Sequence, residues 1–290
     1  MSTAQAVTPA YEGAFEFVKA LAAELSAGKI ELPGFPDVVT RVQRVLADET
    51  ADAGRIVRVI GSEPVLAGKL IQMANSAALN PGGNPVTDLP SAVVRLGLNN
   101  IRSAALSFAV RQIRAAPALK GLEKPLDVLW QSCVLVASLC YVIARRFTRV
   151  SPDKAMLAGL LQGIGRLYIL TRASRHRSLF SDMTAYRAIE RDWHLSIATA
   201  VLENWEIAEE IVEAVRDSED LEREPRGPLG LTDVLVAGKL FAAHHQDPQE
   251  LDAQIRKVRA LARLNLDAAM CQAVLHESAD EVAALRVALG

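Results

Sequence analysis

An all-α fold is predicted for this chain of 290 residues by three features. Apolar residues recur at helical spacing nearly everywhere, the strong helix formers Ala, Leu, Glu, Arg and Gln dominate, and no alternating run with hairpin turns reads as a strand. The length allows one large domain or two smaller ones. Half of the residues are hydrophobic and 23% are charged, the balance of a packed globular protein rather than a disordered one.

The elements follow in order. Phe15, Val18, Leu21, Ala22 and Leu25 make a first helical stripe, which reads equally as a lead helix over 1–24 and as an amphipathic helix docked on the body. Val38, Val39, Val42, Val45 and Leu46 line one face of a second helix, with Pro36 before it and Asp37 as N-cap. Ile56, Val57 and Ile60 mark a third, ended near Gly61, and Pro64 sits in the first turn of a fourth that runs to about Asn75. Residues 77–90, with Pro81, Gly82, Gly83, Asn84 and Pro85, read as an irregular loop. A short helix over 91–96 stops at Gly97, and another covers 99–114. A long apolar helix covers 125–147, after which Ser151 caps a helix with Pro152 at its first position. Later helices are predicted over 178–192, 194–204, 208–217, 229–245, 248–263 and 267–289. The polar run 218–228 (SEDLEREPRGP) reads as a linker between a main body, 25–219, and a C-terminal helical extension, 220–290.

Charge and cysteine content narrow the function classes. Lys plus Arg number 32 and Asp plus Glu 34, a net charge of −2, and aromatic residues are 5%. A protein devoted to a phosphate backbone shows a basic excess, and one devoted to single strands shows stacking platforms, so no nucleic-acid surface is expected. Cys133 and Cys140 are seven positions apart on one predicted helix. That is about 10 Å along the axis, too far for a disulfide. With Cys271 they read as reduced core residues in a reducing, cytoplasmic compartment. The first twelve residues lack a basic and an apolar region, so no signal peptide is predicted. The longest uncharged stretch, 128–144, contains Gln131, Ser132 and Ser138 and is followed by Arg145 and Arg146. It reads as a buried core helix rather than a membrane span. On that reading Leu135→Ala would cost about 2–5 kcal/mol.

The common catalytic signatures are absent. Gly68-Lys69 lacks the glycine and the hydroxyl residue of a phosphate-binding loop. No Gly-x-Ser-x-Gly elbow occurs. His276-Glu277 has Asp280 where a zinc-protease helix needs its second histidine, and reads as a solvated face. His244 and His245 point about 100° apart on a helix and, with Lys239, read as a polar helix end. The cluster Arg166, Arg172, Arg175, His176 and Arg177 reads as an anion or nucleic-acid patch or, more simply, as a solvated helix end.

The stretches around Leu32-Pro33, Pro36, Asp52, Pro64, Leu66, Lys69-Leu70, Ala74-Asn75-Ser76, Val86, Ala92 and Leu96-Gly97-Leu98-Asn99, with His194, Trp205 and Glu210-Ile211-Val212 further on, carry a family pattern. The chain resembles the HDOD family, the HD-related output domains of bacterial signalling proteins, over about 25–219. The resemblance implies a multi-helix HD-like bundle with an N-terminal helical HDOD subdomain and a C-terminal helical extension. Pro64, Asn75, Ser76, Gly97 and Asn99 read as fold-defining residues. Asn75 and Ser76 can satisfy backbone groups at a helix end, and Gly97 supplies a stop that a Cβ resists.

HDOD domains are similar to HD-type metal phosphohydrolases, in which His and Asp side chains hold metals that activate water. By that resemblance Ser132 stands where the first His would be, Gln162 and Gly163 replace the His-Asp pair, and Ser218 with Glu219 lies where a His pair often sits. His194 alone keeps a metal-capable side chain. Ser and Gln are poor transition-metal ligands, and one His cannot hold a catalytic metal. The expectation is therefore a non-catalytic signalling module without cofactor or metal, acting on a protein partner. Its vestigial pocket is formed by Ser132, Gln162, Gly163, Arg166, His194 and Ser218, as a closed polar network in which Gln162 is a buried partner. Three alternatives stay open: a sensor binding a nucleotide or other anion in the vestigial groove, a phosphohydrolase with an atypical site, and DNA binding through 172–177.

Overall fold

A computed structural model describes residues 9–28, 32, 35–224, 227–264 and 268–289. Among them are fifteen α-helices and no strand: α1 Pro9–Ala27, α2 Asp37–Ala47, α3 Ala53–Gly61, α4 Pro64–Ala74, α5 Leu89–Arg114, α6 Glu123–Phe147, α7 Pro152–Leu161, α8 Ile164–Ala173, α9 Met183–Asn204, α10 Glu209–Arg216, α11 Leu231–His244, α12 Pro248–Lys257, α13 Arg259–Arg263, α14 Ala268–Glu277 and α15 Ala279–Leu289. Two 3-10 turns, Pro117–Leu119 and Arg177–Ser181, join them.

Helix α6 is the axis of the structure. Helix α7 lies along it, α11 packs on another side, and α15 returns from the C-terminus to touch α6, α4 and α5. Helices α2 to α5 pack on one another at one end. At the other end α8 pairs with α9, α9 with α10, and α10 with α11. One hydrophobic core runs through all of it, from Phe17 to Leu289. Helix α6 is long and apolar enough to cross a membrane, but 67% of its most apolar window is buried inside the protein.

Local chemistry accounts for most helix starts. The Asp52 carboxylate accepts from the Arg55 N–H at 2.6 Å, Ser151 from Lys154 at 3.4 Å, and Asp88 from Ser91 at 2.8 Å. Pro64 stands at the first position of α4, whose N-cap is Glu63. Gly97 interrupts α5 with φ 68° and ψ 171°, outside the helical region and on the side that disfavours a Cβ, so the predicted stop is present as a kink. Asn75 closes α4 and pins the following loop: its Nδ2 donates to the Ile71 and Val86 carbonyls at 3.0 and 2.7 Å, and its Oδ1 accepts from the Val86 N–H at 2.8 Å.

Several expectations are corrected. Asp37 is in the first turn of α2, and Pro36 is its N-cap without a side-chain bond. The Ser76 hydroxyl is buried with no partner, so Asn75 alone ties this corner. Asn99 is only half-buried, whereas its neighbour Asn100 is buried and donates to the Leu96 carbonyl. In α1 Phe17 and Leu21 are buried, and Phe15 is exposed. The helix docks on α9 and the Arg177–Ser181 turn, and Tyr168 donates to Glu24. The segments 178–192 and 194–204 are not two helices. A 3-10 turn comes first, then the Asp182 carboxylate caps Thr184 and Ala185 at 3.0 Å, and α9 runs unbroken through His194 because it holds no Pro or Gly. The predicted 248–263 and 267–289 helices each divide, at Val258, where the backbone is extended and the side chain turns inward, and at the buried Ser278.

Burial along α6 is also uneven. From Val136 to Ala144 every residue is buried, but Val128, Gln131 and Ser132 are exposed. Leu135 is half-buried and lines a cavity of about 880 Å³ beside the C-terminal helices. Leu135→Ala is therefore expected to cost about 1–2 kcal/mol, less than a fully buried leucine, because part of the side chain already faces open space. Urea denaturation checks this, and a loss above about 3 kcal/mol would contradict it.

Candidate functional site

The sequence-predicted pocket forms where α8, α9, the end of α10 and α11 meet. Gly165, in the first turn of α8, allows the closest approach. A Cβ there would lie 1.9 Å from the His194 carbonyl oxygen and 3.0 Å from the Ala198 nitrogen of α9. With the two backbones this close, the next residue, Arg166, reaches across α9 to His194.

His194 is 1% exposed. Its Nδ1 lies 2.8 Å from the Glu190 carbonyl and 3.1 Å from that of Arg191. Both are acceptors, so Nδ1 carries a hydrogen. Its Nε2 faces the Arg166 guanidinium at 3.2 Å and Glu219 Oε1 at 3.1 Å. Glu219 is the hub: Arg166 at 3.0 Å, His194 and Lys239 Nζ at 2.8 Å all converge on the same oxygen, Oε1. Lys239 also donates to Ser218 Oγ at 3.1 Å, and that buried hydroxyl donates to the Val215 carbonyl at 2.9 Å.

These contacts set the electrostatics. The hydrogen bond from His194, with Lys239, holds the Glu219 carboxyl far below the usual carboxylate range, against burial, which acts the other way. Burial pushes the Lys239 ammonium down, and Glu219 partly restores it. The result is an ion cluster in which Arg166 and Lys239 share the one carboxylate, with the His194 ring against it.

The remaining candidates lie beside this cluster or outside it. Gln162 is buried and donates from Nε2 to Cys133 Sγ at 3.7 Å. A Cβ on Gly163 would lie 2.2 Å from the same sulfur. Burial pushes the Cys133 thiol up to about 12, with nearby Arg166 acting the other way. Ser132 is exposed on α6, so Cys133, not Ser132, faces positions 162 and 163. The expected network thus gathers Arg166, His194 and Ser218, leaves Gln162 on a thiol, and omits Ser132.

Sequence reasoning left the two central members out of the pocket. The resemblance put Glu219 where a His pair often sits, but the same residue fell inside a run read as linker, and Lys239 was grouped with a polar helix end. A signal for Lys239 existed: it is the sole charge between Asp233 and His244 in the apolar helix α11, and a buried ammonium requires a partner. For Glu219 the only signal was the resemblance, since its own neighbours are polar and charged. The arginines of 166–177 are a solvated helix end only in part, at the exposed Arg175 and Arg177. Arg172 pairs with Glu24 at 3.0 Å and stacks over Tyr168 at 5.3 Å, and Arg177 donates to the Lys120 carbonyl at 3.3 Å. Among the described residues no three His, Cys, Asp or Glu side chains form a metal-holding group.

The profile of the HDOD domain matches residues 32–221, well over half of the chain. The chain belongs to the HDOD domain family. Solved structures share the fold across nearly the whole HDOD chain. One from Shewanella amazonensis SB2B, named provisionally as a metal-dependent phosphohydrolase, is 25% identical, with 96% of this chain and 100% of that chain covered and a TM-score of 0.70. An HDOD domain protein with unknown function from Geobacter sulfurreducens is 20% identical over 95% of this chain and 98% of its own, with a TM-score of 0.62. A protein from Marinobacter aquaeolei VT8, named provisionally for signal transduction, is 19% identical, with 96% of this chain and 66% of that one covered and a TM-score of 0.58. No curated protein matches the HDOD chain.

Proposed function

We propose that this HDOD chain is a non-catalytic regulatory module of bacterial signal transduction, working in the cytoplasm through contact with a protein partner. The observation that carries the reading is the Glu219 cluster. The side chains of Arg166, His194 and Lys239 take up Glu219 Oε1, the carboxylate oxygen nearest the retained histidine. A divalent metal there would meet an arginine and a lysine instead of anionic or neutral ligands. The donor set beside it does not fit a metal either. Gln162 and a protonated thiol are weak ligands, and the space for a side chain at Gly163 is taken by Cys133 Sγ. The anion-sensor reading at this spot is weakened by the same contacts, because Arg166 is already engaged by Glu219.

The HD resemblance makes metal content the deciding measurement. Protein purified without a metal-binding tag is expected to carry well below one equivalent of iron, manganese or zinc, and to release no nitrophenol from bis(p-nitrophenyl) phosphate with added manganese. One equivalent of tightly held metal overturns the reading, as does turnover that disappears on chelation and in His194→Ala.

A further inference from the structure

A polar cavity lies at the C-terminal end of α9. It has a volume of about 550 Å³, within the range of small-molecule sites, and opens between α2 and the residues that close α9. His194 and Trp205 are eleven positions apart, about 16 Å along the helix, so this cavity and the ion cluster are separate places.

Its walls carry three unsatisfied features. Gln43 lines it, is only 4% exposed, and has an Oε1 with no hydrogen-bond partner. A buried amide with open capacity awaits a donor or acceptor from something else. Phe35 and Trp205 form an aromatic wall, stacked with ring centroids 4.9 Å apart and planes at 29°. Arg41 and Arg44, three positions apart and so on one face of α2, also line the cavity. Neither is in an ion pair among the described residues, and Arg41 donates only to Ser62 Oγ at 3.3 Å.

Glu206 adds a fourth. It has φ 53°, and the Ile207 N–H donates to the Leu202 carbonyl at 3.0 Å, so Glu206 occupies the left-handed closing position of α9. Glycine adopts that conformation without strain. The glutamate there brings a carboxylate to the cavity wall.

We infer that this cavity binds a mononucleotide, a planar nitrogen-bearing ring attached to a phosphate. Each wall has a matching task. The Phe35–Trp205 pair offers a face for the ring. The Arg41 and Arg44 guanidiniums suit a phosphate, which two adjacent forks bind better than one. The Gln43 amide offers both a donor and an acceptor to a base edge, and the Glu206 carboxylate accepts from an exocyclic amine or ring N–H. An apolar ligand would take water from these charges without pairing them, and a bare inorganic anion would make no use of the aromatic wall.

The test titrates AMP, GMP, CMP, UMP and inorganic phosphate separately against the full chain, reading the thermal midpoint and tryptophan fluorescence. At least one nucleotide is expected to raise the midpoint and change the fluorescence at concentrations where phosphate alone does neither. Arg44→Ala, an exposed position, is expected to keep the unliganded midpoint and weaken that nucleotide by about tenfold or more. Gln43→Leu, which keeps the volume, is expected to weaken it as well. The inference is overturned if no nucleotide produces a shift, if phosphate alone reproduces it, or if Arg44→Ala binds as tightly as the parent.

Discussion

Gly165→Ala is expected to cost about 3 kcal/mol or more, although it adds a single methyl group. The added Cβ would stand 1.9 Å from the His194 carbonyl oxygen, where non-bonded atoms need more than 3 Å. The obstacle is backbone, so no side-chain rotation relieves it, and α8 must move away from α9 as a whole. That movement also draws Arg166 back from His194 and Glu219, loosening contacts of 3.2 and 3.0 Å. Urea denaturation at neutral pH reads the loss as a lower midpoint with unchanged slope. A variant within about 1 kcal/mol of the parent would mean that the helices are not held as closely as described.

Glu219→Ala is expected to cost about 2–3 kcal/mol at neutral pH. Removing the carboxylate of a partly buried ionic group leaves the others uncompensated, here Arg166 and Lys239, the latter already pushed down by burial. The figure is below that of a fully buried pair because about a third of the Glu219 side chain, 32%, meets solvent. The pH dependence has a definite sign. The folded carboxyl is held below its unfolded value, so its contribution is complete above the ordinary glutamate range, about 4.3. It falls away as pH drops below that range toward the depressed folded value. Parent and variant should therefore differ most at neutral pH and converge in acid. A difference that stays constant down to pH about 3 would show that Glu219 acts by packing rather than charge.

Helix class and most helix boundaries were legible from the sequence because they depend on neighbours a few residues apart. Proline at the first position of α4 and α7, side-chain caps at Asp52 and Ser151, and the kink at Gly97 are local facts of stereochemistry. Family membership was legible for the same reason, since motifs such as Ala74-Asn75-Ser76 and Leu96-Gly97 are contiguous. The failures came where a local signal was weak or was overridden. The stretch around 192–194 has no breaker, and Phe17, not Phe15, faces the core because docking decides which side of α1 is buried.

The site divides along the same line. The sequence by itself determined that 162–163 and 132 lack the histidine and aspartate that the HD resemblance would require, and that His194 and Arg166 remain. Only the tertiary structure decided what surrounds them. Glu219 and Lys239 come from segments 25 and 45 positions after His194, and they meet because α10 packs on α9 and α11 packs on α10. No periodicity encodes such a contact, since a charge in a polar run looks the same whether it faces water or a buried ammonium. Packing supplies the distinction: the partly buried corner between α8, α9 and α11 makes one carboxylate oxygen the common partner of Arg166, His194 and Lys239, and the same residues spread over a surface would have little to say to one another.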